Sequence, residues 1–321
     1  MNFIRQLRTK IKIRTRIKIF LELLYNLIPV SLLEIESYRQ ANASINKKVC
    51  FFAAWDPEGI VDKYVLKYLD ELVKEEFDIY FITSAPNSFT PENLIELKKR
   101  CIFISRRLNF GLDFASWKLC YLKMPKSHTY EELLLTNDSI FGPIFPLSET
   151  FRKIEGMKED VIGLTDNYQR SHHLQSYFLY FNRKSFSQFM PNFLKSIKVM
   201  RDKDLIIEKY EVGLSKLLVG AGYKLGSVFP VDNTIEKVRE LKLQTNFGDL
   251  KSGFAVNSTA VFWHVLVEQF RFPFLKREVL TKDVVPIKYI ENWQLFLNKY
   301  NQELSQIIDS YLCRTVKNYR K

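Results

Sequence analysis

Carboxylate, amide and hydroxyl side chains directly follow an apolar run in the middle of the chain. Leu133, Leu134 and Leu135 precede the sequence TNDSIFGP, which spans residues 136–143. Asn, Asp and Ser side chains bond to their own backbone and Gly-Pro ends regular structure, so an ordinary turn is one interpretation. A carboxylate at the carboxyl end of a buried strand also faces the crevice where α/β proteins bind ligands, commonly a phosphate with its metal. This stretch alone leaves both interpretations open.

Groups of the same kind follow each of the first four predicted strands. Each has an ordinary interpretation, since an Asp before a helix is typical of an N-cap, arginines are typical of surfaces and a Trp is typical of a core. Successive strand ends that all suit a nucleotide, a diphosphate and a divalent cation nevertheless favour a ligand site. Strand by strand, the side chains are Trp55 and Asp56; Thr83 and Ser84; Arg106, Arg107, Asn109, Gly111 and Asp113; and Asn137, Asp138 and Ser139.

The elements that would position these groups alternate between strands and helices. Apolar runs of strand length and segments of helical periodicity follow one another from residue 47 onward, which predicts a parallel sheet flanked by helices. Farther along, the pattern predicts more short strands and a helix closed by glycine. The predicted strands cover residues 47–55, 78–84, 101–105, 133–135, 161–167, 177–182 and 224–230, and the predicted helices cover 60–77, 90–100, 113–123, 203–219 and 292–312.

The composition is that of a folded protein without a disulfide framework. With 321 residues, 46% of them hydrophobic, the chain can bury a full core, which argues against disorder for most of it. The four cysteines are far apart, with no CxxC pair and no adjacent His, so neither a zinc site nor disulfides are indicated. No stretch reaches the roughly 18 uncharged apolar residues of a spanning helix, and a signal-peptide pattern is missing. We therefore expect a protein on the cytoplasmic side.

Positive charge is concentrated at the N-terminus of a chain whose formal net charge is +12. Isoleucines and Phe20 interleave with the basic residues, and FLELLYNLIPVSLL follows, which is typical of an amphipathic segment on an anionic membrane surface. A solvated tail and a nucleic-acid contact are the alternatives. Because no nucleic-acid-binding module follows, we expect a membrane surface as partner and no nucleic acid. The basic residues that precede the first acidic residue, Glu22, are Arg5, Arg8, Lys10, Lys12, Arg14, Arg16 and Lys18.

The order of several motifs resembles the rhamnan synthesis protein F family, bacterial glycosyltransferases of cell-surface polysaccharide assembly. The motifs are WDPEG, RRLNFGLDFASWK, LLLTNDSIFGPI, GLTDN with HLQSYFLYFN, and YEVGLSKLLVGAGYK, and the resemblance covers residues 47–280. It implies an α/β fold, a GT-A-like, Rossmann-type mixed sheet flanked by helices. We expect this domain at residues 47–285, a basic amphipathic membrane-proximal segment at 1–46 and a C-terminal helix at 286–321.

The resemblance also implies roles for the groups at the strand ends. TNDS takes the position of the Asp-x-Asp motif of GT-A enzymes, so Asp138 would bind a divalent cation, Mg²⁺ or Mn²⁺, that bridges the donor diphosphate. One carboxylate of that motif is missing, because Asn137 and Ser139 flank Asp138, and this puts metal dependence in doubt. The residues expected to contact the nucleotide-sugar donor are Trp55, Asp56, Arg106, Asn109, Gly111, Asp113, Asn137 and Asp138.

The second half of the chain would supply the base and the acceptor contacts. Inverting transfer needs a carboxylate that takes the proton of the acceptor hydroxyl. YEVGLS matches the position of the acidic motif that opens the acceptor-side helix, which makes Glu211 the candidate base, and Asp166 is the alternative. His264, with Lys276 and Arg277 after it, is either a diphosphate ligand or part of a packed aromatic helix. His173, Gln175 and Ser176 are expected to contact the acceptor or the donor sugar.

Together these expectations describe an inverting glycosyltransferase that uses a nucleotide-sugar donor. The resemblance suggests dTDP-rhamnose as the donor and a lipid-linked acceptor at the inner face of the cell membrane, in the synthesis of cell-wall, lipopolysaccharide or O-antigen polysaccharide. The alternative is a non-catalytic module that keeps the sugar-nucleotide fold and tethers a biosynthetic complex to the membrane.

Overall fold

The computed structural model describes residues 20–40, 45–127, 129–243, 255–282, 292–317 and 319. Residues 1–19, which carry the predicted basic cluster, lie outside the described residues. The strands are β1 (Glu34–Arg39), β2 (Lys48–Ala54), β3 (Phe77–Thr83), β4 (Cys101–Arg107), β5 (Glu132–Asn137), β6 (Ile140–Phe141), β7 (Val161–Gly163), β8 (Asp166–Asn167), β9 (His173–Leu174), β10 (Phe178–Phe181), β11 (Leu225–Ser227) and β12 (Leu275–Lys276).

Helices surround these strands along the whole described chain. A 3-10 turn spans Val30–Leu33, and a π-helical segment spans Ile207–Val212. The α-helices are α1 (20–25), α2 (Lys63–Lys74), α3 (Pro91–Lys98), α4 (Leu112–Lys123), α5 (Leu147–Glu155), α6 (Arg183–Gln188), α7 (Met190–Ser196), α8 (Lys203–Ile206), α9 (Gly213–Gly220), α10 (Val231–Glu240), α11 (Ser258–Val261), α12 (Trp263–Phe270), α13 (Arg277–Thr281), α14 (Trp293–Asn298) and α15 (Gln302–Thr315).

An eight-stranded mixed sheet forms the centre, in the order β1-β4-β3-β2-β5-β10-β7-β11. Strands β2 to β5 run parallel to one another, whereas β10 lies antiparallel between β5 and β7. The register of β2 places Ala53 opposite Asn137 of β5, and Ala54 opposite Thr83 of β3. The carboxyl ends of the parallel strands therefore meet at one edge, and the polar groups that follow them are brought together there.

Burial on both faces explains why β2, β3 and β5 are continuous apolar runs rather than alternating ones. On one face, Phe52 and Phe81 pack with α2 and α15. On the other, Phe51, Tyr80 and the fully buried Trp117 pack with α4 and α7. The sheet is thus fixed from both sides, so the groups at its edge sit on a rigid support.

The predicted α/β fold with a mixed sheet flanked by helices is confirmed by this topology. The sheet extends beyond the predicted start at residue 47, because β1 pairs antiparallel with β4 along the sheet edge. The predicted helix over 203–219 consists of α8, a π-helical segment and α9. The predicted terminal helix is two helices, and α15 packs on the same core as the sheet. No helix in the described ranges has the length and apolar character needed to cross a membrane.

Candidate active site

A cavity of ≈ 880 Å³ opens at the carboxyl ends of the parallel strands. Groups from both halves of the chain line it. The first half contributes Trp55, Asn109, Asp113, Asn137 and Asp138. The second half contributes His173, Gln175, Ser176, Glu211, Lys276 and Arg277. The cavity is therefore large enough for a small-molecule substrate and is rich in charged groups.

Asp138 lies directly after β5 and forms a buried ion pair with Arg277, the first residue of α13. Its Oδ2 accepts from the backbone N–H of Trp55 at 3.0 Å and from Nη1 of Arg277 at 3.1 Å. The same guanidinium nitrogen donates to the hydroxyl of Tyr64 at 3.0 Å. Burial raises the pKa of Asp138, and the Arg277 charge only partly opposes this. The carboxylate is thus ordered, but its negative charge is incompletely compensated.

A second carboxylate, Asp113 at the start of α4, is joined to this group through Asn137. The Asn137 side-chain N–H donates to Oδ2 of Asp113 at 2.8 Å, and its oxygen accepts from the Ser139 hydroxyl at 2.6 Å. Burial, together with the nearby Asp138 carboxylate, raises the pKa of Asp113 to about 6. Asp113 and Asp138 therefore form a pair of neighbouring carboxylates in the cavity that is short of positive charge.

The carboxylates of Asp113 and Asp138 are groups in the cavity that could bind a divalent cation. Within the described ranges, no group of three or more His, Cys, Asp or Glu side chains is placed to hold a metal ion. Mg²⁺ commonly takes only one or two protein carboxylates and completes its shell with substrate phosphate oxygens and water. Asp113 and Asp138 fit that role, and a cation would offset the burial that raises both pKa values and the Asp138 charge that adds to the shift of Asp113. The residues suit a cation that enters with a diphosphate rather than one held by protein alone.

Glu211 projects into the cavity from the π-helical segment, a type of helix distortion that is frequent at functional sites. Its Oε1 accepts from the backbone N–H of Ser176 at 2.8 Å. This bond orients the carboxylate on one side and joins it to the segment that carries His173 and Gln175. The carboxylate of the predicted base is thus held in place at the cavity wall.

His173 and Gln175 are buried and held by their neighbours. The His173 Nδ1 lies 2.7 Å from the carbonyl oxygen of Ser171, which places the proton on Nδ1 and leaves Nε2 as an acceptor. The side-chain oxygen of Gln175 accepts from the Thr165 hydroxyl at 2.7 Å. Both side chains line the cavity, so their predicted contact with a sugar or acceptor remains a prediction consistent with their positions.

The predicted donor ligands Asp56 and Arg106 lie outside the cavity lining. Asp56 accepts from Nη2 of Arg314 at 2.7 Å and from backbone N–H groups of its own turn. Arg106 donates to Glu36 of β1 at 2.5 Å and to the Ser88 hydroxyl at 3.0 Å. Both charges are paired with other parts of the fold, and neither side chain lines this cavity. Their predicted contact with the donor stays a prediction that these positions do not support.

Gly111 and Arg107 shape the loop before α4. Gly111 has φ = 78°, and a Cβ there would lie 2.8 Å from that of Ala115, so only glycine fits. Its N–H donates to the Met200 carbonyl oxygen at 2.8 Å. The fully buried Arg107 donates to the carbonyl oxygens of Leu108 and Phe110, both at 2.7 Å. Gly111 itself does not line the cavity, whereas Asn109 and Asp113 on either side of it do.

Asp166 and His264 are also outside the cavity lining. Asp166 accepts from the backbone N–H of Val231 at the start of α10 at 2.8 Å, and it lies 2.8 Å from Nε2 of His172. His264 lies on α12 edge-on to Trp263, and burial lowers its pKa. The structure thus favours Glu211 over Asp166 as the base and the packed-helix interpretation of His264. Of the two predicted diphosphate ligands, Lys276 alone lines the cavity.

The C-terminal helix contributes cavity residues that sequence reasoning missed. Tyr311 and Thr315 of α15 line the cavity, as does Lys317 beyond it. Arg314 fixes this helix to the turn after β2, through Asp56 at 2.7 Å and Asp62 at 2.9 Å. The periodic pattern of α15 predicts a helix but contains no signal for which face meets a site. The family motifs in the sequence also lie before this helix, within residues 47–280.

Residues 81–319 match the family described as rhamnan synthesis protein F. The chain belongs to the rhamnan synthesis protein F family. The match includes α15, so the predicted limit at residue 280 was too early. Virulence protein VirA of Vibrio anguillarum is 27% identical over 307 residues, with 86% of this chain and 94% of that protein covered. Uncharacterized protein y4gN of Sinorhizobium fredii is 22% identical over 207 residues, with 62% and 53% covered.

Solved structures show only distant likeness. The glycosyltransferase GlyE of Streptococcus pneumoniae has a TM-score of 0.39 at 12% identity, over 84% of this chain and 64% of that one. A putative nucleotide-diphospho-sugar transferase of Desulfovibrio desulfuricans has a TM-score of 0.32 at 12% identity, over 78% and 97%. Likeness at this level carries no argument about the site, and the fold assignment rests on the sheet itself.

Proposed function

We propose that this protein is a glycosyltransferase that uses a nucleotide-sugar donor. The observation that carries the proposal is the shared cavity, in which a carboxylate pair, the cations Lys276 and Arg277 and the oriented carboxylate of Glu211 all lie at the edge of a sheet. A donor diphosphate needs cationic partners, and a transfer reaction needs a base. Membership of the rhamnan synthesis protein F family supports the same assignment.

The proposed reaction is a single displacement with inversion at the anomeric carbon. Glu211 takes the proton of an acceptor hydroxyl while that oxygen forms its bond to the anomeric carbon of the donor sugar. The bond from this carbon to the diphosphate breaks, and its electron pair leaves on the diphosphate oxygen. Lys276 and Arg277 stabilise the charge that develops there. His173 and Gln175, which are held in fixed orientations, position the sugar or the acceptor.

A divalent cation, Mg²⁺ or Mn²⁺, is part of this proposal. Asp113 and Asp138 would hold it, and when bound it would neutralise charge on the leaving diphosphate. Because the two carboxylates offer few ligands, we expect Mg²⁺ to bind tightly only together with a nucleoside diphosphate. Thermal shift measurements with MgCl₂ alone, with dTDP alone and with both test this, and a Mg²⁺ shift that needs no nucleotide contradicts it.

The finer assignments rest on the family and on the basic N-terminus. The family description, which names the synthesis of a rhamnan, supports rhamnose as the sugar, and we propose dTDP-rhamnose as the donor. The positive charge before Glu22 supports work at the inner face of a membrane, where a lipid-linked acceptor of cell-wall or O-antigen synthesis would lie. A panel of nucleotide sugars that includes dTDP-rhamnose, UDP-glucose and GDP-mannose identifies the donor by its rate of hydrolysis.

The decisive experiment compares donor turnover in the wild type with that of two aspartate variants. Asp138→Asn removes a cavity carboxylate, and Asp160→Asn removes a buried carboxylate elsewhere in the fold. We expect turnover to fall at least about 100-fold in Asp138→Asn, since a charge that organises the diphosphate is lost, and to be retained in folded Asp160→Asn. Equal turnover in wild type and Asp138→Asn would remove the assigned chemistry.

A non-catalytic sugar-nucleotide module is the second candidate. The observation in its favour is that TNDS supplies one carboxylate, whose Oδ2 is already bonded to Arg277. This candidate predicts that the wild type binds a nucleoside diphosphate in the cavity but turns over no donor of the panel. Calorimetric binding measured beside the turnover assay separates the two functions.

A further inference from the structure

Helix α1 turns its charged side chain inward and its apolar side chains outward. Glu22 is only 8% exposed, and its carboxylate accepts from the backbone N–H groups of Arg201 at 3.0 Å and of Asp202 at 3.0 Å. Phe20 and Leu23 on the outer side are 60% and 59% exposed. A helix at the surface of a globular protein normally shows the reverse arrangement, so its outer side is suited to an apolar environment.

The same exposure continues past α1. Leu27 is 77% exposed and Leu32 is 70% exposed, whereas Val30 and Leu33 between and beside them are buried and anchor the segment. We call the exposed set the apolar face. It consists of Phe20, Leu21, Leu23, Leu24, Leu27 and Leu32.

Charge identifies the partner. The chain places seven Lys and Arg residues in positions 5–18, with no acidic residue before Glu22. A protein partner or a second copy would account for the leucines but gives no reason for this cluster of cations. An anionic lipid surface accounts for both, because it attracts basic residues and accepts apolar side chains below its headgroups.

The segment that carries the apolar face packs on the protein close to the cavity. The Tyr25 ring stacks on Phe110 with a centroid distance of 5.6 Å, and the Arg201 guanidinium lies 5.4 Å and 5.6 Å from these two ring centroids. Phe110 lies in the loop before α4, next to Asn109, and both Asn109 and Asp113 of α4 line the cavity. A surface that holds the apolar face therefore lies close to the cavity.

We propose that the apolar face inserts into the headgroup region of an anionic bilayer and positions the cavity beside that surface. The inference deepens the proposed function. It rests on that function for one consequence only, which is that an acceptor carried by a membrane lipid reaches Glu211 without leaving the bilayer. Binding itself requires no donor and no catalysis.

Vesicle sedimentation tests the proposal on the full chain. We expect the wild type to pellet with vesicles of phosphatidylcholine and phosphatidylglycerol, and to do so weakly with phosphatidylcholine alone. The double variant Leu27→Glu/Leu32→Glu should bind anionic vesicles at least about 10-fold less tightly, because two apolar contacts become charged. Leu217→Glu/Leu295→Glu is the matched control, since these leucines are 55% and 67% exposed on other elements. It should bind as the wild type does.

Three results would overturn the proposal. One is a wild type that stays in the supernatant with anionic vesicles. Another is unchanged pelleting of Leu27→Glu/Leu32→Glu, which would mean that the basic residues act alone or that residues 1–19 cover the apolar face. The third is a wild-type dimer in light scattering that this variant converts to a monomer, which would identify a second copy as the occupant. Donor turnover, measured separately, reports on the proposed function and not on this inference.

Discussion

Two buried aspartates in this protein have opposite electrostatic environments. Asp138 in the cavity is 7% exposed, and Asp160, directly before β7, is 9% exposed. Asp160 accepts from the backbone N–H of Lys224 at 2.9 Å and lies 3.2 Å from Nζ of Lys184. The Lys224 N–H, with the Lys184 charge, lowers the pKa of Asp160, whereas burial raises the pKa of Asp138 despite Arg277.

The opposite pKa shifts distinguish a carboxylate that stabilises the fold, Asp160, from one whose environment suits a bound ligand, Asp138. Asp160 lies closer to the protein surface than Asp138, so desolvation is small there and the surrounding donors outweigh it, and its charge stabilises the folded state. At Asp138 and Asp113 they do not, and the folded state bears an electrostatic cost at the edge of a cavity. Such uncompensated groups cluster where ligands bind, because a bound cation supplies the missing charge.

The largest expected effect comes from removing the base. Glu211→Gln keeps an oxygen that can accept from the Ser176 N–H but cannot take a proton, so we expect transfer to fall by about 10²–10⁴-fold. Donor binding, measured by calorimetry, should stay within about threefold, since the diphosphate partners are untouched. Glu208→Gln is the control from the same π-helical segment, and its transfer rate should equal that of the wild type. Equal loss in both variants would show that the segment, not the carboxylate, matters.

Breaking the cavity ion pair should cause the largest loss of stability. Arg277→Met leaves Asp138 buried without its cation, which costs about 3 kcal/mol in the free energy of unfolding. The double variant Arg277→Met/Asp138→Asn removes both charges of the pair, so most of that loss should be recovered, as measured by urea denaturation. If the double variant is as unstable as the single one, the effect comes from lost packing and the comparison with Asp160 fails.

Removing the structural carboxylate should cost less. Asp160→Asn loses a charge-assisted bond from the Lys224 N–H and the nearby Lys184 charge, so we expect about 1–2 kcal/mol at pH 7. Because the folded-state pKa of Asp160 is depressed, its contribution is present above the unfolded pKa and is lost as the pH falls through the folded one. The difference in the free energy of unfolding between wild type and variant should therefore be smaller below about pH 4 than at pH 7. Urea titrations at pH 7 and below pH 4 measure it.

Much of the site follows from local pattern, because parallel strands are continuous apolar runs whose ends are visible in the sequence. Asp138, Asn137 and Asp113 are placed in the cavity by this pattern alone. Glu211 was found through a family motif rather than through periodicity. Edge strand β1 was missed because its exposure alternates and its glutamates and arginine resemble a solvated segment.

The pairing of the other charged residues at the strand ends depends on partners far away in the sequence. Asp56 is a predicted donor ligand, but its carboxylate pairs with Arg314, 258 residues later. Arg106 likewise pairs with Glu36, 70 residues earlier on β1. A strand-end charge is visible in the sequence, but whether a distant residue neutralises it is decided by tertiary packing. The difference between Asp56 and Asp138 could therefore be read only from the structure.

The smallest expected effect is a gain in stability in Asp113→Asn, with a pH dependence opposite to that of Asp160→Asn. It is also the sharpest test of the comparison between the two environments. Asp113→Asn keeps an oxygen for the Asn137 N–H but removes the charge that repels Asp138. The pKa of Asp113 is raised to about 6, so the folded wild type holds this proton more tightly than the unfolded chain and loses stability as the pH rises from about 4 to about 6. The variant lacks this loss. We expect it to be about 1 kcal/mol more stable than wild type at pH 7 and equal to it at about pH 4, by urea denaturation without added cations. A destabilised variant at pH 7 would show that Asp113 supports the fold as Asp160 does.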